Sequence, residues 1–194
     1  MLPRRMTDTM RLLPLDSPER IQLVAHWLAQ KENYQWLDFG DGRQLVSAEW
    51  LKIGMQRRSY VLRLFTSDAN DTPIGVVGFS NINPHFKTAS IWVVVGDKSF
   101  AARGHATRAA SEMLSIGFGE LGLRVVQTWI ADGNQSLRIS KRLKFRLIGR
   151  QRQCHFVDGR VYDRLWFDLL ASEHTENQTA ARRRSAREES SPVR

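Results

Sequence analysis

One cysteine, Cys154, is all that the 194 residues of this chain contain. That excludes an intramolecular disulfide and fits a reducing, cytoplasmic setting. With no His/Asn constellation beside it, Cys154 reads as a half-buried strand residue rather than a nucleophile. No apolar run reaches the roughly 18 residues that a membrane span requires, and the opening MLPRRMTDTM lacks the apolar stretch of a signal peptide. The expectation is a protein that works without a membrane. Acids are also scarce: 20 Asp and Glu stand against 29 Lys and Arg, a formal net charge of +9. Such an excess points to an anionic partner, either nucleic acid or a small molecule carrying phosphates. No helix-turn-helix, zinc or RNA-stacking signature supports nucleic acid. The densest basic run, Arg138, Lys141, Arg142, Lys144, Arg146, Arg150 and Arg152, also reads as a solvated face.

What the chain does have is a core: 42% of it is hydrophobic and 9% aromatic, enough for one domain of ordinary size. Residues 1–10 read as a loose start, 11–171 as the domain, and 172–194, almost without apolar residues and of mixed charge, as a disordered tail. A short strand at 11–15 precedes a helix over 18–30, started by Ser17-Pro18-Glu19. Residues 32–43 are irregular and aromatic, a second helix follows over 48–56, and strands are expected at 60–66, 74–79 and 88–95. Asn81-Ile82-Asn83-Pro84-His85 reads as the loop between the last two. A long helix from Ala106 and an apolar strand at 123–130 come next; that strand runs parallel to 88–95 because a helix intervenes. Asn134-Gln135-Ser136 opens a helix to about Lys144, and Asp158-Gly159 joins two strands at 147–157 and 160–170 in a two-residue hairpin. An exposed edge of that hairpin would suit pairing with a second copy of the chain.

The chain is organised around Ala102-Arg103-Gly104-His105-Ala106-Thr107. The segment follows the β-branched run Ile91-Trp92-Val93-Val94-Val95 and opens the long helix. Glycine at a strand-to-helix turn lets the backbone approach a ligand, and the first N–H groups of the helix point outward. Such a corner binds phosphate, and the Arg103 guanidinium suits phosphate oxygens. Short glycine turns also serve merely to redirect the chain.

With its flanks, the run resembles the acetyl-CoA signature of the GNAT superfamily of N-acetyltransferases, Q/R-x-x-G-x-G/A. Gly104 and Ala106 hold the two small positions, and Thr107 and Ala109 fit the continuation seen in the Rim-type branch; Ala101 stands where the family has Gln or Arg. The resemblance covers about residues 10–172. It implies an α+β (three-layer α/β) fold: a mixed, mostly antiparallel sheet with a splayed central parallel strand pair and helices on both faces. It implies acetyl transfer from acetyl-CoA to a primary amine, with no metal.

By position, the resemblance assigns the cofactor to the backbone of Val93, Val94 and Val95 and to Arg103, Gly104, His105, Ala106 and Thr107. The family motif N-x-x-S is approximated by Asn134 and Ser136, although the Asn sits one place late; the same residues also make a good helix cap. Ser136, with Ser140 behind it, is the candidate for protonating the departing thiolate. Lys141-Arg142-Leu143-Lys144-Phe145 matches the family's E-K-L-G-F with Lys144 in place of Gly. Where many Rim-type members carry a catalytic Glu this chain has Ser90, which cannot deprotonate an ammonium of pKa about 10. His85 and Asp163 are the candidates left for a base, each also readable as structural. Trp36, Asn81, Asn83, Trp92 and Trp129 are expected to flank the acceptor groove, and the indoles suit a flat or apolar acceptor, or the face of a sugar. The implied acceptors are a protein N-terminus, a small-molecule amine or an amino-sugar nucleotide, the last through a loose likeness at Asn81-Ile82-Asn83. A catalytically silent acyl-CoA-binding module is the alternative suggested by the missing Glu.

Overall fold

The computed structural model describes residues 10–38, 46–57, 59–67 and 71–174. The expected loose start at 1–9, Phe39 and Asp41, and the tail from 175 onward lie outside the described residues. Seven strands, β1 (Leu12–Pro14), β2 (Val61–Thr66), β3 (Pro73–Asn83), β4 (Thr88–Val95), β5 (Val125–Ala131), β6 (Arg146–Val157) and β7 (Arg160–Leu170), form one sheet in the order β1-β2-β3-β4-β5-β7-β6. Five helices, α1 (Pro18–Ala29), α2 (Lys31–Tyr34), α3 (Ala48–Gln56), α4 (His105–Gly119) and α5 (Leu137–Arg142), cover it. Neighbouring strands are antiparallel except β4 and β5. That pair is parallel because α4 carries the chain back along the sheet between them.

Alternation along the strands divides the core between two faces. On one, Phe65, Val77, Phe79, Ile91 and Val126 pack under Ala109, Ala110, Met113 and Leu114 of α4. On the other, Leu62, Leu64, Val76 and Val94 pack against Val24, Trp27 and Leu28 of α1 and Leu51 of α3. The result is three layers. Local chemistry starts the helices as expected: the Ser17 hydroxyl accepts from Arg20 N–H and that of Ser47 from Trp50 N–H, each satisfying an orphan donor of the first turn.

Four local expectations are corrected. The start of the segment 32–43, read as irregular, belongs to the extra short helix α2 (Lys31–Tyr34). Asn81-Ile82-Asn83, read as loop, extends β3, whose register slips between Ser80 and Asn83 with Asn81 left-handed at φ 54°. That bulge absorbs residues which a propensity reading assigns to a turn. Ser136 does not cap α5 with its side chain; the Asn134 side-chain Oδ1 instead accepts from the Ser136 N–H at 2.8 Å. Residues 172–174, expected in a disordered tail, are helical with Ala171. Glu173 Oε2 accepts from Leu170 N–H, and His174 is buried against Phe118 and within 3.1 Å of Ser115 Oγ.

The end of α5 explains how Lys144 substitutes for glycine. Phe145 N–H bonds the Ser140 carbonyl and Lys144 N–H the Lys141 carbonyl, the paired closing bonds of a helix whose next residue turns left-handed. Lys144 takes that conformation at φ 64°. A left-handed L-residue costs roughly 1–2 kcal/mol, part of which glycine gives back as extra freedom in the unfolded chain. Lys144→Gly is therefore expected to raise stability by about 1 kcal/mol, measured as a shifted urea midpoint at constant slope. An unchanged or lower midpoint would contradict this account.

Candidate active site

The parallel pair is joined only at its base. Thr88, Ala89 and Ser90 of β4 pair with Val125, Val126 and Gln127 of β5, and no pairing continues beyond Ser90 and Gln127. Each strand keeps its other neighbour: β3 follows β4 to Val95, and β7 follows β5 to Ala131. The two strands thus splay toward their C-terminal ends. A cavity of about 380 Å³ fills the gap, lined by Ile91 to Val95 on one side and Thr128, Trp129 and Ile130 on the other.

Register shows which backbone groups face that cavity. Gly96 N–H bonds the Ile74 carbonyl at 2.9 Å, and the antiparallel register continues through Val94 with Val76 and Val93 with Val77. Hydrogen-bonded and non-bonded pairs alternate in such a ladder, so Val94 directs its N–H to β3 while Val93 and Val95 direct theirs toward β5, which has turned away. The Lys98 ammonium confirms the direction by donating to the Val95 carbonyl at 2.8 Å. Of the three valines, then, Val93 and Val95 offer amides to a ligand, and Val94 contributes wall.

At the top of the splay, a 3-10 turn (Lys98–Phe100), with the Asp97 carboxylate accepting from Ser99 N–H, leads into the glycine corner. Gly104 is left-handed (φ 88°, ψ −8°) and precedes α4. The first helical bond runs from Arg108 N–H to the Gly104 carbonyl, so the amides of Gly104, Ala106 and Thr107 stand ahead of the ladder and line the cavity. A Cβ built on Gly104 meets no atom within 4 Å: it would project into open space where a ligand would lie. The corner is a ready anion cradle, and Arg138 and Arg142 of α5 add positive charge to the same cavity. A pyrophosphate-bearing cofactor with a narrow pantetheine arm fits these surroundings. The side chains beside the corner act differently from the backbone. His105 is buried edge-to-face on Phe100 at 5.9 Å, and the exposed Arg103 lies over the same ring at 5.4 Å, outside the cavity wall.

Ser136, Asn134 and Ser140 all line the cavity. Because the cap bond is made by Asn134, the Ser136 hydroxyl is not engaged at the helix start. Ser140 is buried and its hydroxyl donates to the Leu137 carbonyl at 3.0 Å, which commits its proton. Ser136 is thus the better placed proton source of the two.

Trp36, Trp92 and Trp129 meet at the opposite face of the splay. His155 stacks on Trp36 at 6.0 Å and leans on Trp129 at 5.3 Å, and the Arg164 guanidinium lies 3.9 Å above Trp129. Nε2 of His155 donates to the Gln35 carbonyl at 2.8 Å and Nδ1 accepts from Arg164, whose other nitrogen donates to Asp38 at 2.7 Å. Burial lowers the His155 pKa, outweighing the Gln35 bond that opposes it. Lys98, Asn33 and Glu32, which line the cavity, and His155 and Arg164, which back its tryptophans, were not legible as site residues. They come from segments far apart in the chain and match no motif.

Besides Arg103, four of the expected site residues fall elsewhere. His85 is exposed at the tip of the β3–β4 hairpin against Phe86, and Asn83 Oδ1 accepts from the amides of His85 and Phe86 in that turn. Asn81 is the exposed bulge residue of the same end. This tip adjoins the start of β4, and the cavity lies at its finish, ~20 Å away at ~3.3 Å per residue. The likeness to amino-sugar nucleotide enzymes through Asn81 and Asn83 therefore has no bearing on the groove. Asp163 accepts from Gln153 N–H at 2.8 Å and from Arg150 at 2.9 Å, and does not line the cavity. The Gln153 bond first, then Arg150, holds its carboxyl below the usual range, the opposite of what a base needs. Ser90 accepts from Gln127 Nε2 at 3.3 Å across the closed base of the splay. Among the described residues, Glu32 is the only carboxylate lining the cavity, no three metal-ligating side chains gather, and no helix is long and apolar enough to cross a membrane.

Comparison with known proteins agrees with this geometry. A family model described as the acetyltransferase (GNAT) domain matches residues 8–146, more than half of the chain. A spermidine N-acetyltransferase from Vibrio cholerae, solved in complex with CoA and spermine, superposes with a TM-score of 0.73 at 16% identity over 86% of this chain and 97% of that one. A chimera of the Vibrio cholerae and human enzymes gives 0.71 at 16% identity, covering 86% and 98%. A structure described as a probable acetyltransferase gives 0.65 at 22% identity, covering 84% and 93%. No curated protein sequence matches the chain. At such identities the structural likeness speaks for the fold, and the family match adds the chemistry. The chain belongs to the GNAT acetyltransferase family and is an acyltransferase.

Proposed function

We propose that this protein moves an acetyl group from acetyl-CoA to a primary amine by direct attack in a ternary complex, in the manner of the Rim-type branch. The observation that carries the proposal is the splay above Ser90 and Gln127, which leaves a cavity reaching from the anion cradle of α4 to the tryptophan face. The corner amides of Gly104, Ala106 and Thr107 hold the pyrophosphate. The amides of Val93 and Val95 hold the pantetheine arm and the thioester carbonyl, and their grip strengthens as charge grows on that oxygen. The amine enters between the tryptophans, loses a proton through water toward Glu32, and attacks the carbonyl carbon. The C–S bond then breaks and the Ser136 hydroxyl supplies or stabilises the proton on the leaving sulfur.

A polyamine acceptor, the ligand of the Vibrio cholerae enzyme, is not favoured. One carboxylate lines the cavity against Lys98, Arg138 and Arg142, and like charges repel at a groove. Isothermal titration with acetyl-CoA is the test. Saturable heat is expected, and its absence at high micromolar concentration would overturn the proposal. An amine panel followed by thiol release then ranks the acceptors.

A further inference from the structure

Lys98 lines the cavity and links the end of β4 to α2. Its ammonium donates to the Val95 carbonyl at 2.8 Å and to Asn33 Oδ1. Asn33 is buried on α2, and its own Nδ2 donates to the Trp27 carbonyl at 2.7 Å and to Gln30 Oε1 at 3.2 Å. Those bonds fix the amide so that its oxygen faces Lys98. The ammonium is thus held at a defined point at the end of β4, and Lys98 lines the same cavity as Trp36 and Trp92.

Both of its partners are neutral. An ammonium has three donors and no acceptor, so one N–H is left over and neither hydrogen-bond partner neutralises the charge. Glu32 attracts it from a distance without forming an ion pair, and desolvation outweighs that attraction and lowers the Lys98 pKa. Although the residue as a whole is exposed, its charged end is partly desolvated and has Glu32 only at a distance, with no carboxylate in contact. A group in that condition gains from an anion.

We propose that Lys98 is a specificity residue of the acceptor site, taking a carboxylate or phosphate carried by the acceptor close to its amine, while the tryptophans take a flat apolar body. Acidic or zwitterionic aromatic amines are then preferred over polycations. This rests on the acetyltransferase reading above. The competing source of the anion is the cofactor's own phosphates, and the experiment separates the two.

Acetyl-CoA is titrated first into wild type and Lys98→Met, which tests the acetyltransferase reading by itself. Both proteins, saturated with CoA, are then titrated with N-acetyl-L-phenylalanine and with N-acetyl-2-phenylethylamine, which differ only in the carboxylate. Wild type is expected to bind the carboxylate form about tenfold more tightly, the scale of one partly screened ion pair. Lys98→Met should abolish that preference, Lys98→Arg should keep it, and Asn33→Ala, which frees the ammonium, should reduce it. Acetyl-CoA affinity should move by less than about threefold. Equal binding of the two compounds to wild type, binding of neither, or a preference that survives in Lys98→Met would overturn the proposal. So would a large loss of acetyl-CoA affinity in Lys98→Met with the preference intact, because the phosphates would then be the anion held.

Discussion

Gly104→Val is expected to lower acetyl-CoA affinity by ~100-fold, about 2.7 kcal/mol, while leaving a folded protein. Two effects add. The position requires φ 88°, where a β-branched residue is strained by ~2 kcal/mol. The new side chain would also project into the space that is open within 4 Å of the built Cβ, where the phosphate must approach the amides of Ala106 and Thr107. The strain lowers stability, and the projection lowers affinity. Thermal melting and calorimetric titration measure the two separately. Gly104→Ala should show a smaller loss of both kinds, because its single methyl occupies less of the cradle. If Gly104→Val bound acetyl-CoA as tightly as wild type, the corner would not be the phosphate site.

The corner was legible because it is local. A β-branched run, a glycine and a helical apolar period succeed one another without interruption, so strand, turn and helix could be read directly. The Asp158-Gly159 hairpin was legible for the same reason, and both residues take positive φ, 49° and 77°. The acceptor side was not. Asn33 and Lys98 meet at the cavity through a bond between α2 and the turn after β4, and His155 and Arg164 back Trp36 and Trp129 because β7 lies between β5 and β6; nothing in their immediate neighbours marks them. His85, Asn81 and Asn83 were misplaced by overlooking a rule of direction. A hairpin joins β3 to the start of β4, the glycine corner follows its end, and one strand cannot present both to the same groove. Asp163 had a suitable residue type, but its hydrogen bonds to Gln153 and Arg150 remove the basicity that the role requires.

Ser90 is the departure with the widest consequence. Its hydroxyl is tied to Gln127 at the point where the parallel pair closes, and it does not line the cavity. With no base on the sheet floor, the site depends on an amine that arrives neutral or loses its proton to water near the mouth. Less of the rate enhancement then comes from proton abstraction, and more rests on holding the thioester and stabilising its oxygen.

That division of labour makes the backbone of β4 the sharpest place to test the mechanism. Val93→Pro removes one N–H that the register directs into the splay, leaving the β3 ladder bonds of Trp92 and Val94 in place. Loss of a single oxyanion donor typically costs about 10²–10³ in kcat, and that is the drop expected here with the fold retained. Val94→Pro is the contrast. It removes a donor from the ladder beside Val76 in the middle of a buried sheet, so it should unfold the protein or destabilise it by ~3 kcal/mol or more. A change of side chain alone, Val93→Ile or Val93→Thr, leaves the amide in place and should alter kcat by less than about tenfold, because the proposed contact belongs to the main chain. The decisive measurement is kcat by thiol release, alongside circular dichroism to confirm folding. If folded Val93→Pro kept its kcat within a few-fold of wild type, the amide would have no part in the transition state, and the carbonyl would be held by some other donor in the cavity.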